Sequence, residues 1–335
     1  MNPSLPDEAI AFGESVSRAF GARGGVDMAR RAETNPAVRA SEAGTLLDSF
    51  GAADLDPRDG LDSAAAAAEL CRAAGRVVLP YPVVSALLAG ANPKRPFAVI
   101  AGPDPARVDH GDLFDEWTVA TIDGSTYDAT VDGSPLGSRL GPFVTDVRVT
   151  DVLVAEPAPD ATAGNGSAGN AAADDALTRV QLALTLGGWQ ILGTVERAME
   201  LAIEHVKGRV QFGQPIADFQ AVQFQLADAA VAVGGLRELC LFTLWRVFHA
   251  PESGAADALA LRVHALDVAR SVLRVSQQLH GAAGVCDEYD ISVLCRHIQP
   301  ALRLPFGSER AVEELAREVD AIGFESLFPH GGVRL

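Results

Sequence analysis

The chain reads as mainly α with a small central β domain, and three observations carry that reading. The first part holds an Ala-rich run at residues 62–70, and Ala is the strongest helix former. The middle carries short β-prone runs set off by Asp-Gly dipeptides, which favour tight turns between strands. In the last part, Val222, Leu226, Val233, Leu236, Cys240 and Leu244 recur at three- or four-residue steps with one double step, placing an apolar stripe along a helix. A length of 335 residues allows two or three domains and a sizeable core.

Taken in order, residues 1–92 form an N-terminal helical domain. Its Ala-rich helix is expected to end at Gly75, with the chain turning out through Pro80 and Pro82. Residues 93–155 form the β domain, with strands expected in Phe97-Ala-Val-Ile-Ala and Trp117-Thr-Val-Ala-Thr-Ile. Asp123-Gly124 and Asp132-Gly133 supply tight turns, and residues 144–154 alternate in part, as a half-buried strand does. Trp117 reads as a core or interface side chain. Residues 156–173 have almost nothing large to bury and read as a flexible linker or exposed loop. Residues 174–335 read as long helices joined by short turns, an antiparallel bundle.

A hydrophobic share of 48% marks a globular chain, and only 6% aromatics with abundant Ala favours closely packed helices. The net charge of −17, with no concentrated basic patch, argues against a nucleic-acid partner. No apolar run is long enough for a membrane span and no basic leader precedes an apolar core, so a cytoplasmic protein is expected. Cys71, Cys240, Cys286 and Cys295 lack C-x-x-C spacing, which points to reduced thiols rather than a disulfide frame or a zinc site.

The segment richest in chemistry is Arg209-Val-Gln-Phe-Gly-Gln-Pro-Ile-Ala-Asp-Phe-Gln220. A guanidinium suits phosphate because it donates two parallel hydrogen bonds, Phe212 offers a flat apolar face, and Gly213-Gln214-Pro215 reads as a turn between helices. On spacing alone, a surface Arg beside a core Phe is the plainer alternative. Two further segments follow: Gln278-Leu-His-Gly-Ala-Ala-Gly-Val-Cys-Asp-Glu-Tyr289, with Arg296 after it, and Phe306-Gly307-Ser308.

Together, in this order, the three segments resemble the acyl-CoA dehydrogenase family, and the resemblance is clear over roughly the last half of the chain. It implies an N-terminal helical, middle β, C-terminal helical fold, an FAD cofactor shared between subunits, and an acyl-CoA substrate. Carried over by position, Arg209, Gln211, Phe212, Gln278 and Gly281 would hold the ADP half of FAD. Ala282 stands where the family has a second Gly. The family's catalytic carboxylates match Phe306, or in a second group of members Thr178, and neither side chain accepts a proton. The family's Thr-Glu-Pro-like and Gly-x-Lys-x-Trp-Ile-like stretches around the flavin ring are not found between residues 95 and 155.

The remaining candidates have plain structural readings. Glu288, beside Asp287, reads as solvent-facing, with a catalytic role as its alternative. His280 reads as packing, Glu309 as a charge favouring a helix N-terminus, and Cys286 as a thiol without a His partner. The chain as a whole resembles the less catalytic subunit of the heteromeric α2β2 acyl-CoA dehydrogenases of steroid-degrading bacteria. That resemblance implies a related partner chain carrying the base and a bulky CoA thioester, such as that of a sterol side chain. Two alternatives stay open: a homo-oligomeric dehydrogenase using Glu288 or Asp175, and a flavin-free assembly protein.

Overall fold

The computed structural model describes residues 4–133, 135–136, 140–153, 167–251 and 254–322, with side chains not described for 167–173. The N-terminal region contains α1 (Asp7–Ala22), α2 (Asp27–Thr34), a π-helical turn at Arg39–Gly44 continuing into α3 (Thr45–Asp48), α4 (Leu61–Val77) and the short α5 (Val83–Leu87). The Ala-rich helix runs two residues beyond Gly75 and is capped by Val78 in the left-handed region at φ 43°. Gly75 is therefore internal, and its missing side chain serves helix packing. A Cβ there would lie 1.9 Å from the Gln190 carbonyl oxygen, and one on Gly193 would lie 1.9 Å from the Arg72 carbonyl oxygen.

The middle sheet has β1 (Phe97–Val99), β2 (Ala106–Asp109), β3 (Glu116–Ala120), β4 (Thr126–Val131) and β5 (Val144–Val152), in the order β1-β3-β4-β5-β2. β1 and β3 are parallel, and the other pairs are antiparallel. The Asp123-Gly124 turn joins β3 to β4, with Gly124 at φ 84°. Trp117 is fully buried and donates its indole N–H to the Gly111 carbonyl at 3.1 Å, the core role expected of it. Val108, Val119, Ala129 and Val147 close a small core around it.

Helix α6 (Ser167–Gly208) is 42 residues long and starts inside the segment read as a linker; residues 154–166, which take in the first part of that segment, lie outside the described residues. The run of Ala at 171–173 is compatible with a helix propagating back from its packed portion. A small hairpin, β6 (Val210–Gln211) and β7 (Gln214–Pro215), leads into α7 (Gln220–His249). Then come α8 (Gly254–His280), α9 (Asp290–His297), α10 (Gln299–Arg303) and α11 (Ser308–Ile322). The predicted stripe on α7 buries Val233, Leu236, Cys240 and Leu244, while Val222 and Leu226 are half-buried. Helix α6 packs chiefly on α8 and α4. Among the described residues, no helix is long and apolar enough to cross a membrane.

Polar groups also tie the layers together. Glu196 on α6 accepts from Arg72 at 2.7 Å and pairs with Arg237, tying α4, α6 and α7 together. Glu33 on α2 pairs with Arg296 at 2.7 Å and with His297 at 2.5 Å on α9. Cys71 and Cys240 are buried, Cys295 half-buried and Cys286 exposed, all of them free thiols.

Candidate functional site

The Arg209 segment and the Gln278 segment meet at one end of the bundle. Arg209 follows the last turn of α6, and its backbone N–H donates to the His205 carbonyl at 2.9 Å. His205 stacks on His280, the last residue of α8, with ring centroids 4.4 Å apart. His280 is buried and its Nδ1 lies 2.7 Å from the Ser276 carbonyl, so it packs, as expected of it. Burial, followed by the charges of His280 and Arg209, holds the His205 imidazole below its ordinary value and therefore neutral near pH 7.

Beyond Arg209 the chain makes a two-residue hairpin turn in which both central residues have positive φ, Phe212 at 54° and Gly213 at 83°. That geometry suits a tight hairpin but is costly for a residue with a Cβ. Phe212 is 95% exposed, edge-on to Phe219 with ring centroids 6.3 Å apart. The expected turn between helices is thus a β-hairpin, and Phe212 is its bare tip rather than a core side chain. Gln211 is exposed and its amide donates to the Val210 carbonyl at 2.6 Å. Gln278 is exposed, and Gly281 begins a 3₁₀ turn at φ 60° with open space where a Cβ would stand. Ala282 is exposed too, so its methyl group crowds nothing within the chain.

This corner presents a guanidinium beside an exposed aromatic. Arg209 is exposed with no ion pair among the described residues, so its two-pronged donor is available. Exposed Val210, Phe224, Val231 and Val285 lie on the same hairpin, on α7 and on the 3₁₀ turn after α8.

The residues matching the family's base positions behave differently. Phe306 is buried, and its carbonyl accepts from Arg262 at 2.8 Å. Arg262 also donates to the Leu304 carbonyl at 2.8 Å, and burial pushes its guanidinium down to about 10. Thr178 bonds back to the Asp174 carbonyl at 2.8 Å and faces a cleft of about 1090 Å³ between the sheet, α6 and α11. Asp123, Asp174, Glu314 and Glu318 line that cleft, and Arg310 and Arg317 are both engaged by Glu314. Arg310 also donates to the Ala101 carbonyl at 2.7 Å. A surface of this charge suits a pyrophosphate poorly.

Glu288 is exposed, and Asp175 pairs with Arg58 at 2.9 Å. Glu309 sits in the first turn of α11, and the exposed Cys286 thiol lies 3.2 Å from the Ala282 carbonyl.

A cluster that sequence reasoning missed adjoins Phe306, since Arg262, Leu304 and Pro305 also wall its cavity. Val78, Asp109, His110 and His297 line a cavity of about 150 Å³ where the N-terminal helices, the sheet and the bundle meet. Its Asp109-His110 pair sits at the end of β2, and the only sequence signal was two adjacent titratable residues closing a short strand.

Residues 174–317 match the acyl-CoA dehydrogenase C-terminal domain. The chain is 31% identical to the probable acyl-CoA dehydrogenase YngJ of Bacillus subtilis over 35% of its own length and 32% of that protein. It thus spans about a third of the length of that curated relative. Among solved structures, the ChsE4-ChsE5 complex from Mycobacterium tuberculosis has a TM-score of 0.72 at 18% identity, covering 96% of this chain and 99% of that one. The Tcur3481-Tcur3483 steroid ACAD has a TM-score of 0.69 at 20% identity, with 95% and 99% covered. Butyryl-CoA dehydrogenase from Megasphaera elsdenii has a TM-score of 0.67 at 17% identity, with 95% and 100% covered. The chain has the acyl-CoA dehydrogenase fold, and its residues 174–317 match the C-terminal domain of that family.

Proposed function

We propose that this chain is a subunit of an FAD-dependent acyl-CoA dehydrogenase, lending the ADP-binding corner of a shared cofactor site to a related partner chain that carries the catalytic carboxylate. The observation that carries this reading is the hairpin tip. Phe212 stands 95% exposed, in a backbone conformation unfavourable to it, beside an Arg209 that has no ion pair among the described residues. A strained, bare aromatic next to an available guanidinium is half of a site, and such strain collects where another molecule completes the structure.

Bound FAD would supply the redox chemistry, accepting hydride from an acyl thioester. On this chain, Arg209 would neutralise and orient the pyrophosphate, and Gln278 would hydrogen-bond the ADP end. Gly281 would let the backbone come close, and Phe212 would cover the cofactor from water. The base must come from the partner, because Phe306 and Thr178 cannot accept a proton and Glu288 and Asp175 lie at the surface or in an ion pair. An α2β2 assembly and a bulky ring-bearing acyl-CoA are in keeping with the paired composition and the steroid description of the structural neighbours.

The test is to co-express the chain with a related chain that has a carboxylate at the place of Phe306, and to measure FAD dissociation from the purified complex. Arg209→Ala should raise the FAD dissociation constant at least about tenfold, the worth of one charge-assisted pair, while the two chains still co-elute. FAD bound equally well by the Arg209 variant would sink this assignment.

A further inference from the structure

The end of α8 and the turn after it carry Gln278 and Gly281 of the candidate cofactor corner, yet this segment has little packing of its own to hold it. Gln278, Gly281, Ala282 and all of residues 285–289 are exposed. One anchor is Gly284, buried so close to α8 that a Cβ there would lie 2.6 Å from the Gln277 carbonyl oxygen. The other is Asp287, and there the hold comes from a distant part of the chain.

Helix α2 supplies it. Asp27, Arg30 and Glu33 recur at three-residue steps, so they follow one another along one side of that helix. Arg30 Nε donates to the Asp287 carbonyl at 3.0 Å. Another arm of the same guanidinium donates at 2.8 Å to Asp290 Oδ1, in the first turn of α9. Asp27 steadies it from behind at 2.5 Å. From the last turn of α9, Arg296 donates to Asp287 Oδ1 at 2.9 Å and to Glu33 at 2.7 Å. The circuit is closed: Arg30 holds Asp287, Asp287 holds Arg296, Arg296 holds Glu33, and Glu33 stands one turn from Arg30.

Isolated surface ion pairs are worth little, because long side chains swing freely and water screens them. This group differs in two ways. Arg30, Arg296, Asp287 and Glu33 each have at least two partners, and the Arg30 side chain is only 25% exposed. A guanidinium with several prongs engaged fixes direction as well as distance. One acceptor is also a backbone carbonyl, which ties Arg30 to the course of the chain itself rather than to a movable side chain. The N-terminal helical domain thereby sets where the turn after α8 stands. Arg209 is placed separately, through its own backbone bond to the His205 carbonyl on α6.

We propose that Arg30 is a positioning residue for the ADP half of the cofactor site, acting through Asp287 to keep Gln278 and Gly281 in reach of their ligand. This role rests on the shared-cofactor reading, and it makes the N-terminal helical domain part of the grip on the cofactor. Arg30 needs no contact with the cofactor, so its effect passes through the Gln278 segment and leaves the Arg209 hairpin alone.

The experiment measures FAD dissociation from the co-expressed complex for Arg30→Met, Gln278→Ala and Arg209→Ala, singly and in pairs. Gln278→Ala should raise the FAD dissociation constant about fivefold, the worth of one hydrogen bond, and Arg30→Met about threefold to fivefold. Arg30→Met should add almost nothing to Gln278→Ala, while multiplying in full with the loss from Arg209→Ala. A residue that merely stabilised the fold would weaken FAD by the same factor in both backgrounds. Should Arg30→Met fail to fold, Asp287→Ala carries the same test, because its side chain is 82% exposed and it loosens only the Arg296 hold. It should weaken FAD about threefold, again without adding to Gln278→Ala. FAD bound as in wild type by both Arg30→Met and Asp287→Ala, while Gln278→Ala and Arg209→Ala weaken it, would overturn the positioning role alone. So would full multiplication of Arg30→Met with Gln278→Ala. No weakening by Gln278→Ala or Arg209→Ala would instead sink the shared-cofactor reading, and this role with it.

Discussion

Replacing Phe212 by Gly separates a role in this chain's own fold from a role in a larger assembly. In the lone chain, three contributions nearly cancel. Releasing an L-residue from the left-handed region at φ 54° gains about 1–2 kcal/mol. Losing the edge contact with Phe219 at 6.3 Å costs about 0.5–1.5 kcal/mol. The greater freedom of Gly in the unfolded chain costs about 0.5–1 kcal/mol. With 95% of its surface already in water, Phe212 has almost no burial to lose. The lone variant should therefore stay within about 1 kcal/mol of wild type, a melting shift of a few degrees at most. In the complex, losing a central aromatic anchor should cost about 2 kcal/mol or more, close to thirtyfold in affinity. Denaturant titration of the lone chain and sedimentation of the complex read the two numbers separately. A loss above about 2 kcal/mol in the lone chain, or an assembly constant that does not move, would refute the reasoning.

Three other outcomes follow from the packing and the charges. Gly193→Ala should cost about 3 kcal/mol or more in urea unfolding, because its methyl group would sit 1.9 Å from the Arg72 carbonyl and neither backbone can yield; a change under about 1 kcal/mol would mean α4 and α6 are less tightly apposed. Asp109 has a folded value of about 7 against an ordinary 3.8, so its contribution to stability is complete below about pH 4 and is lost as pH rises through 7. Asp109→Asn should flatten that decline by about 2 kcal/mol, allowing for solvent in the cavity, and parallel pH–stability curves for variant and wild type would contradict it. For Glu33, burial would raise the carboxyl, but hydrogen bonds from His297 and Arg296 outweigh it and hold the group at about 2. Its contribution is present above about pH 4.5 and lost as pH falls towards 2, so Glu33→Gln should cost about 1–2 kcal/mol at pH 6 and little at pH 2, read by thermal melts.

Patterns that repeat within one element are legible in the sequence. The stripe on α7, the Asp123-Gly124 turn and the burial of Trp117 all follow from local periodicity and turn chemistry. Contacts between distant residues are not legible in this way. Gly75 reads as a helix terminator because Gly is rare inside helices, yet it is required by the backbone of α6 more than 100 residues further on. The row of Arg39, His110 and Asp109 joins residues about 70 apart that share no motif. Phe212 is picked out by its motif, but only the backbone shows that it stands bare at a strained hairpin tip.

The central claim is that the chain holds half of a cofactor site. It is tested most directly by the flavin content of the lone chain and of the complex with its related partner, read by absorbance against protein concentration. The account predicts a colourless lone chain and a yellow complex with about one FAD per pair of unlike chains, held at least about tenfold more weakly when Arg209 is replaced by Ala. A yellow lone chain that oxidises an acyl-CoA by itself would contradict it.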